Sequence, residues 1–381
     1  MMNLTVSGFA VRSLTLASAL MLSTAAFAAP DAQKIADAFV AAAQARGEAK
    51  VTFDSAKADG DNVTLSNVKM VSKHGGDVSI PAVVIESPLE RTSGGFTAAS
   101  IAFDGGKVVD DETTITWQKG IFKDAIVPAP TEINSKAKIT PFSNMEVTGI
   151  SGGAADAPAP VTVDAVNVTL GDVIEGAPND GQLRISGVTI PGEVLKADEQ
   201  TKDWVEQLGY DKLTFDVGID GAYDNSKQSF TFRSISFDGK DVGKLVITGT
   251  FGGLPRDKLQ DPDKLSELAA TATVDSAKIR FDNAGIVGRI IEMQAKAMGA
   301  TPDQFVEQIS GALPLLLSVV GNQGFQDRIA TAATAFLKDP KSLTITAAPG
   351  NPVSIMQIFG AASAAPQTLP DVLAVDIQAN Q

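Results

Sequence analysis

The chain has 381 residues, 20% of them charged and 44% hydrophobic, with a formal net charge of −14 and no cysteine. The acidic surplus repels phosphate backbones, so no nucleic-acid partner is expected, and it also opposes binding to anionic lipid headgroups. Without cysteine there is no disulfide framework, thiolate nucleophile or thiolate metal site, and a chain this long can bury enough surface without such staples.

Residues 1–28 hold Arg12 and the apolar run "SLTLASALMLSTAAFA", ending in Ala26-Phe27-Ala28. A basic start, a short apolar core and a small-x-small ending mark a cleaved signal, with the cut between Ala28 and Ala29. The expected location is the periplasm. The next most apolar run, "ALPLLLSVV" (312–320), is too short to span a bilayer, so the mature chain is expected to carry no integral membrane segment.

The mature chain opens on a predicted helix. Asp31 is the N-cap, Ile35, Phe39 and Ala43 recur at helical spacing, and Gly47 closes the segment. From about 50 to 281 the pattern is that of strands. In "LTFDVGID", Leu213, Phe215, Val217 and Ile219 fall on one side, with Thr214, Asp216 and Asp220 on the other. Turn clusters such as "ADGDN" (58–62), "KHGG" (73–76) and "YDNSK" (223–227) punctuate them. One-sided alternation implies an antiparallel sheet with a single covered face.

Several strands share an octet of the form apolar-x-apolar-x-x-apolar-x-apolar: "VTLSNVKM" at 63, "FTAASIAF" at 96, "VTVDAVNV" at 161, "LRISGVTI" at 183 and "FTFRSISF" at 230. With alanine counted as apolar, "VTFDSAKA" at 51 and "ATVDSAKI" at 272 also fit. Skipping one position turns the second half of a strand to the other face, unless a bulge absorbs the extra residue. The alternative is a sheet covered on different faces at its two ends. The bulged reading predicts a long, strongly curved antiparallel sheet whose concave side is apolar, with Phe230, Phe232, Ile235 and Phe237 all on that side. An octet spans ~26 Å at ~3.3 Å per residue.

"SGGAADAPAP" (151–160) interrupts the strands and reads as a loop. "EQTKDWVEQLG" (199–209) reads as a short helix with Trp204 and Leu208 inward, and 255–272 holds a helical piece broken at Pro262. After 281 the chain turns helical. Asp282 or Asn283 caps a helix with the stripe Ile286, Val287, Ile290, Ile291, Met293, Ala297 and Met298. Thr301, Pro302 and Gln304 form a capping box for a second helix, which Pro314 breaks or kinks. A third covers "FQDRIATAATAFLKD", a short one lies around Met356–Ala364, and the strands "SLTITAA" and "DVLAVDIQA" are placed to rejoin the sheet edge. The organisation is thus a signal (1–28), an N-terminal helix with the sheet region (29–281), and a helical subdomain with closing strands (282–381).

Chemical motifs are weak. "GISGG" (149–153) matches a nucleophile elbow, but nothing after Ser151 starts a helix and the single histidine, His74, lies upstream. "SNVK" (66–69) has no second Ser/Lys motif, and the acidic pairs at 59–61, 110–111 and 261–263 lack calcium-loop spacing. A non-enzymatic protein with no cofactor and no metal site is expected.

The segments "LTFDVGIDGAYDNSKQSFTFRSISFDGKDVGKLVITGTFGGL", "FDNAGIVGRIIEMQAKAMG" and "AATAFLKDPKSLTITAAPGNPVSIMQIFGA" are similar to segments of uncharacterised secreted proteins of Gram-negative bacteria. The strand-rich part resembles AsmA-like periplasmic proteins, a resemblance that implies a curved sheet forming a lipid-accommodating groove and brings no defined functional residues. The functional expectation is a soluble periplasmic binder or carrier of a lipid or other apolar ligand. Its groove would be lined by Phe215, Phe230, Phe232, Ile235, Phe237, Leu315 and Leu316. The alternative is a structural or interaction component of the cell envelope, with an envelope protein partner and a groove filled by its own helices.

Overall fold

The carboxylate of Asp31 accepts a hydrogen bond from the Lys34 amide at 3.1 Å, and this cap starts α1 (Ala32–Ala43). In this computed structural model, residues 29–381 are described apart from 74, 136, 137, 198 and 260. The expected signal segment through Ala28, and His74, therefore lie outside the described residues. α1 buries Ile35 and Ala36 against Val51, Val63, Leu65, Val83, Ile85 and Phe96, the best-shielded core of the molecule. Each fully buried branched side chain there is worth about 1.5–3 kcal/mol.

That core belongs to β1 (Ala49–Thr52), β2 (Ser55–Asp59), β3 (Asn62–Ser72), β4 (Asp77–Glu86), β5 (Leu89–Glu90), β6 (Gly95–Ala102), β7 (Lys107–Asp110), β8 (Thr113–Thr116) and β9 (Lys119–Pro128). After α2 (Pro130–Ile133) come β10 (Asn144–Ala154), β11 (Val161–Ile174) and β12 (Ala177–Pro191). The helices α3 (Gly192–Ala197) and α4 (Glu199–Leu208) precede β13 (Lys212–Asp224), β14 (Ser229–Gly239) and β15 (Gly243–Gly252). Then follow α5 (Arg256–Leu259), a 3-10 segment (Pro262–Ala270), β16 (Thr273–Asn283), α6 (Ile286–Ala297), α7 (Pro302–Leu317) and α8 (Gln323–Lys338). The chain closes with β17 (Ser342–Ala347), β18 (Val353–Ser354), α9 (Ile355–Ala364), α10 (Leu369–Val372) and β19 (Val375–Ala379).

Among the described residues the protein is mainly β, with one antiparallel sheet of 19 strands. From β10 to β17 each strand pairs with its neighbour in sequence. β17 and β19 do rejoin the edge, β17 on β16 and β19 on β17.

The extra residue of the octets is absorbed in three ways. In β12, Ser186 and Gly187 together face Asp216, whose carboxylate accepts from the Gly187 amide at 2.7 Å. In β14, Arg233 and Ser234 face Thr248; in β16, Asp275 is the surplus residue between Val274 and Ser276. These are bulges, which bend and twist the strand that carries them. Elsewhere a left-handed residue does the work without a register slip: Asn67 in β3 at φ 51°, Asp124 in β9 facing Ala99, and Gly149 and Gly187 flanking Asp164 of β11, both at φ 63°. At 51–58 the switch is a break between β1 and β2. β13 supplies the check, because it alternates without a bulge and its Tyr223, Gly221, Ile219 and Val217 pair with Phe230, Phe232, Ile235 and Phe237. All four octet residues therefore share one face.

Three local expectations need correction. β10 continues through "GISGG" to Ala154, held in register by Thr116 and Thr162 on its two sides, so the loop begins only at 155. In α4 it is Val205 that is buried, whereas Trp204 is exposed. Of the break or kink expected at Pro314, the break does not occur: α7 runs on to Leu317, although the proline supplies no N–H to the Ser310 carbonyl. The Thr301–Gln304 capping box is formed from both sides, at 3.3 and 3.0 Å.

α2 is tied back to the β5–β6 hairpin by Arg91, whose guanidinium makes two bonds to Glu132 at 2.7 and 3.0 Å. That pairing, with the Ala129 amide second, lowers the Glu132 carboxyl from 4.5 to about 2. A carboxyl lowered on folding contributes stability that is present above its unfolded value and lost as pH falls through the folded one. We therefore expect Glu132→Gln to melt lower than wild type at pH 7, and thermal scans to show the gap closing between about pH 4.5 and 2.

A glycine pair tests the octet geometry. A Cβ at Gly187 would stand 2.0 Å from the Asp164 carboxylate at φ 63°, whereas one at Gly288 in α6 meets nothing within 4 Å. Urea denaturation should show Gly187→Ala losing about 1–3 kcal/mol and Gly288→Ala gaining about 0.5–1 kcal/mol.

Candidate functional site

The registers of consecutive strands place one apolar residue after another across the sheet. On the β1–β9 side the row reads Val63, Ile85, Ile101 and Phe122, then Met145 of β10. It continues through Val168, Leu183, Ile219, Ile235, Ile247, Ile279, Ile345 and Ile377, each facing the next. The neighbouring row is alike, with Val166, Ile185, Val217, Phe237, Leu245, Phe281 and Leu343. Neither row contains a titratable side chain.

The opposite face is polar. Thr189 and Thr214 meet at 3.3 Å and Thr231 and Thr250 at 3.2 Å. Arg233, carried outward by its bulge, reaches Asp220 at 2.6 Å and Asp180 at 3.5 Å. Paired carboxylates keep the charge of this arginine well anchored, and hydrogen bonding to Asp220 raises its pKa further.

Helices close the apolar face in places and leave it open in others. α1 lies over β1–β9 and leaves a cavity of about 460 Å³, lined by Phe39, Ile80, Phe103, Trp117, Phe122 and Phe142 among others. Its rings are in contact, with centroids 4.9 Å apart for Phe103 and Phe122 and 5.1 Å for Phe122 and Phe142. The indole N–H of Trp117 is spent on the Phe103 carbonyl at 2.7 Å, so the aromatic wall offers a ligand no donor there. A smaller cavity, about 280 Å³, lies where Trp204, Val205 and Leu208 of α4 meet Leu213, Phe215, Phe237 and Ile286.

Each end of β13 is fastened by a tyrosine and an arginine. Tyr210 donates to the Asp241 carbonyl at 3.0 Å while Arg289 stacks over its ring and donates to the Leu208 carbonyl at 2.7 Å. Tyr223 donates to the Leu254 carbonyl at 2.7 Å, with Arg256 over its ring and on the Pro178 carbonyl. Burial pushes both phenols up, so they stay neutral donors. Along the row Ile219, Ile279 and Ile345 remain 38%, 41% and 38% exposed.

Of the residues expected to line a groove, Phe215 and Phe237 stack at 5.0 Å and line the smaller cavity. Phe230 and Phe232 meet edge-on at 4.8 Å, and Ile235 stands in the central row. Leu315 and Leu316 are elsewhere, on the exposed last turn of α7. The rings of the larger cavity were not singled out by sequence; Phe103 closes one octet and Phe39 sits in the α1 stripe, but their meeting depends on the fold. Ser151 is inside a strand with no helix after it. The Ser66 hydroxyl lies 3.4 Å from that of Ser55, and Asp261 caps the 3-10 segment through the Asp263 amide. Among the described residues no three His, Asp or Glu are grouped as metal ligands, and no helix is long and apolar enough to cross a membrane.

Residues 236–380 match a family model whose description is "Uncharacterized protein". The match begins in β14 and takes in the isoleucine row from Ile247 onward. A comparison with curated proteins gives no match.

Truncation separates the ring cluster from the helix tip. Phe122→Ala should cost about 3 kcal/mol in urea denaturation, and Leu315→Ala should stay within about 0.5 kcal/mol of wild type.

Proposed function

We propose that this protein is a non-enzymatic binder or carrier of a lipid or similar apolar molecule, held against the apolar face of the sheet, and that it works in the periplasm. The carrying observation is the in-register isoleucine row, in which Ile219, Ile279 and Ile345 stay more than a third exposed to solvent. Apolar surface left in water costs about 25 cal/mol per Å², and a hydrocarbon laid along the row removes that cost. The row has no hydrogen-bonding or titratable group, which favours selection by apolarity and length over recognition of a particular headgroup. The aromatic cavity under α1 extends the same face and offers a partly open apolar recess of about 460 Å³ for part of such a ligand. Export rests on the signal-like first 28 residues.

The reading is tested by native mass spectrometry of the purified protein, followed by organic extraction. A lipid-sized added mass is expected. Ile279→Lys, placed in the row, should reduce the bound fraction roughly tenfold while leaving the melting temperature within a few degrees, since its site is already partly solvated. A bare polypeptide mass that takes up no added lipid would overturn the carrier reading and turn attention to an envelope protein partner.

A further inference from the structure

Two stretches, 308–326 and 342–370, contain no Asp, Glu, Lys, Arg or His in a chain that is 20% charged overall. The first spans the end of α7 and the turn before α8; the second includes α9. Their chain ends are joined, because the Asn322 amide donates to the Gln367 carbonyl at 3.0 Å, and Gly321 packs beside Gln367. These stretches also carry the most exposed large apolar side chains among the described residues apart from Leu89: Leu315, Leu316, Val319, Met356 and Phe359 are 59–86% exposed. α7 and α9 bury little in return, one residue in α7 and none in α9.

We infer that this surface docks onto the uncharged or zwitterionic surface of a lipid bilayer, with the α7 tip and α9 inserted among the headgroups. Charge decides between lipid and protein occupants. Non-obligate protein interfaces resemble ordinary surface in polarity and carry a hydrogen bond every 100–200 Å² or so; here the projecting groups are Leu, Val, Met and Phe, which cannot fix a register. The net charge of −14 keeps the rest of the molecule away from anionic headgroups, and the charge-free tips are the part that meets no such repulsion. Placement agrees. The Ile355 amide at the start of α9 donates to the Ala272 carbonyl at 2.9 Å, and the adjoining Val353 pairs with Val274, which pairs with Phe251 on the apolar face. The docking surface thus adjoins one end of that face. The inference extends the carrier reading by naming where cargo crosses to and from a membrane.

The test is flotation of the purified protein with phosphatidylcholine vesicles, at low salt and at about 1 M salt, where the Debye length is ~3 Å. Wild type should float equally at both. Leu315→Asp with Val319→Asp, and separately Met356→Asp with Phe359→Asp, should each cut the floated fraction roughly tenfold. Val173→Asp with Ile174→Asp, exposed apolar residues at the β11 turn, should float like wild type. Failure of wild type to float, flotation that needs anionic lipid or is lost in salt, or tip variants that float unchanged would each overturn the inference. So would light scattering that finds a dimer dispersed by the tip substitutions, since a second copy would then own the surface. Cargo is scored separately by native mass spectrometry. A protein that carries lipid but does not float loses the docking inference alone, and one that floats but never carries lipid loses the carrier reading alone.

Discussion

Side chains along a strand change face at every residue, and this sheet has to keep one apolar face although several of its strands carry one residue too many for that rule. The surplus residue must go somewhere. If β14 had no bulge at Arg233 and Ser234, Ile235 and Phe237 would point toward the face that holds Thr231 and Asp220. Register ties the strands together: β13 alternates without interruption, so β12 and β14 on either side of it must both return to phase. A slip in one strand would set its isoleucine against the serines and threonines of the next.

The same constraint separates the two faces chemically. Surplus positions at the phase switches hold Asp, Ser, Arg, Asn or Gly, residues that either tolerate a left-handed backbone or profit from being pushed outward. Arg233 is the clearest example, its bulge placing the guanidinium between Asp220 and Asp180. Charges therefore gather on one side of the sheet, and the other side is left with Ile, Val, Leu and Phe. Helices cover that side only where side chains of their own reach it: Ile35 and Ala36 from α1, Val205 and Leu208 from α4, and Phe336 of α8, which meets Phe281 with ring centroids 6.3 Å apart.

Much of this could be read from local sequence. The Asp31 cap, the Thr301–Gln304 box and the clean alternation at 213–219 are short-range signals, and each forms as its residues dictate. The octets announce a phase switch and its position, because the skip is written into consecutive residues. What they cannot announce is the form of the switch, which depends on the partner strand: Asn67 settles it with a left-handed backbone, Ser186–Gly187 with a register slip. "GISGG" reads as a loop because glycines weaken a strand; pairing on both sides, with β8 and β11, restores it. Trp204 was expected inward from helical spacing, but the helix is short and Val205 takes the buried position. The aromatic cavity is the least legible feature. Phe39, Phe103, Trp117, Phe122 and Phe142 are scattered over four segments, and only the completed sheet brings their rings together.

The pairing order from β10 to β17 has a consequence for how such a molecule can change over time. Because each strand bonds to the one before it in the chain, the sheet is built in a single direction and its breadth is set by how many hairpins are strung in a row. Inserting a further hairpin between, say, β13 and β16 would need no new long connection and would disturb only the immediate neighbours. Breadth is thus an adjustable dimension, while the depth of the apolar band is fixed by the octet. A duplicated hairpin that kept the skip in place would lengthen the isoleucine row by two members.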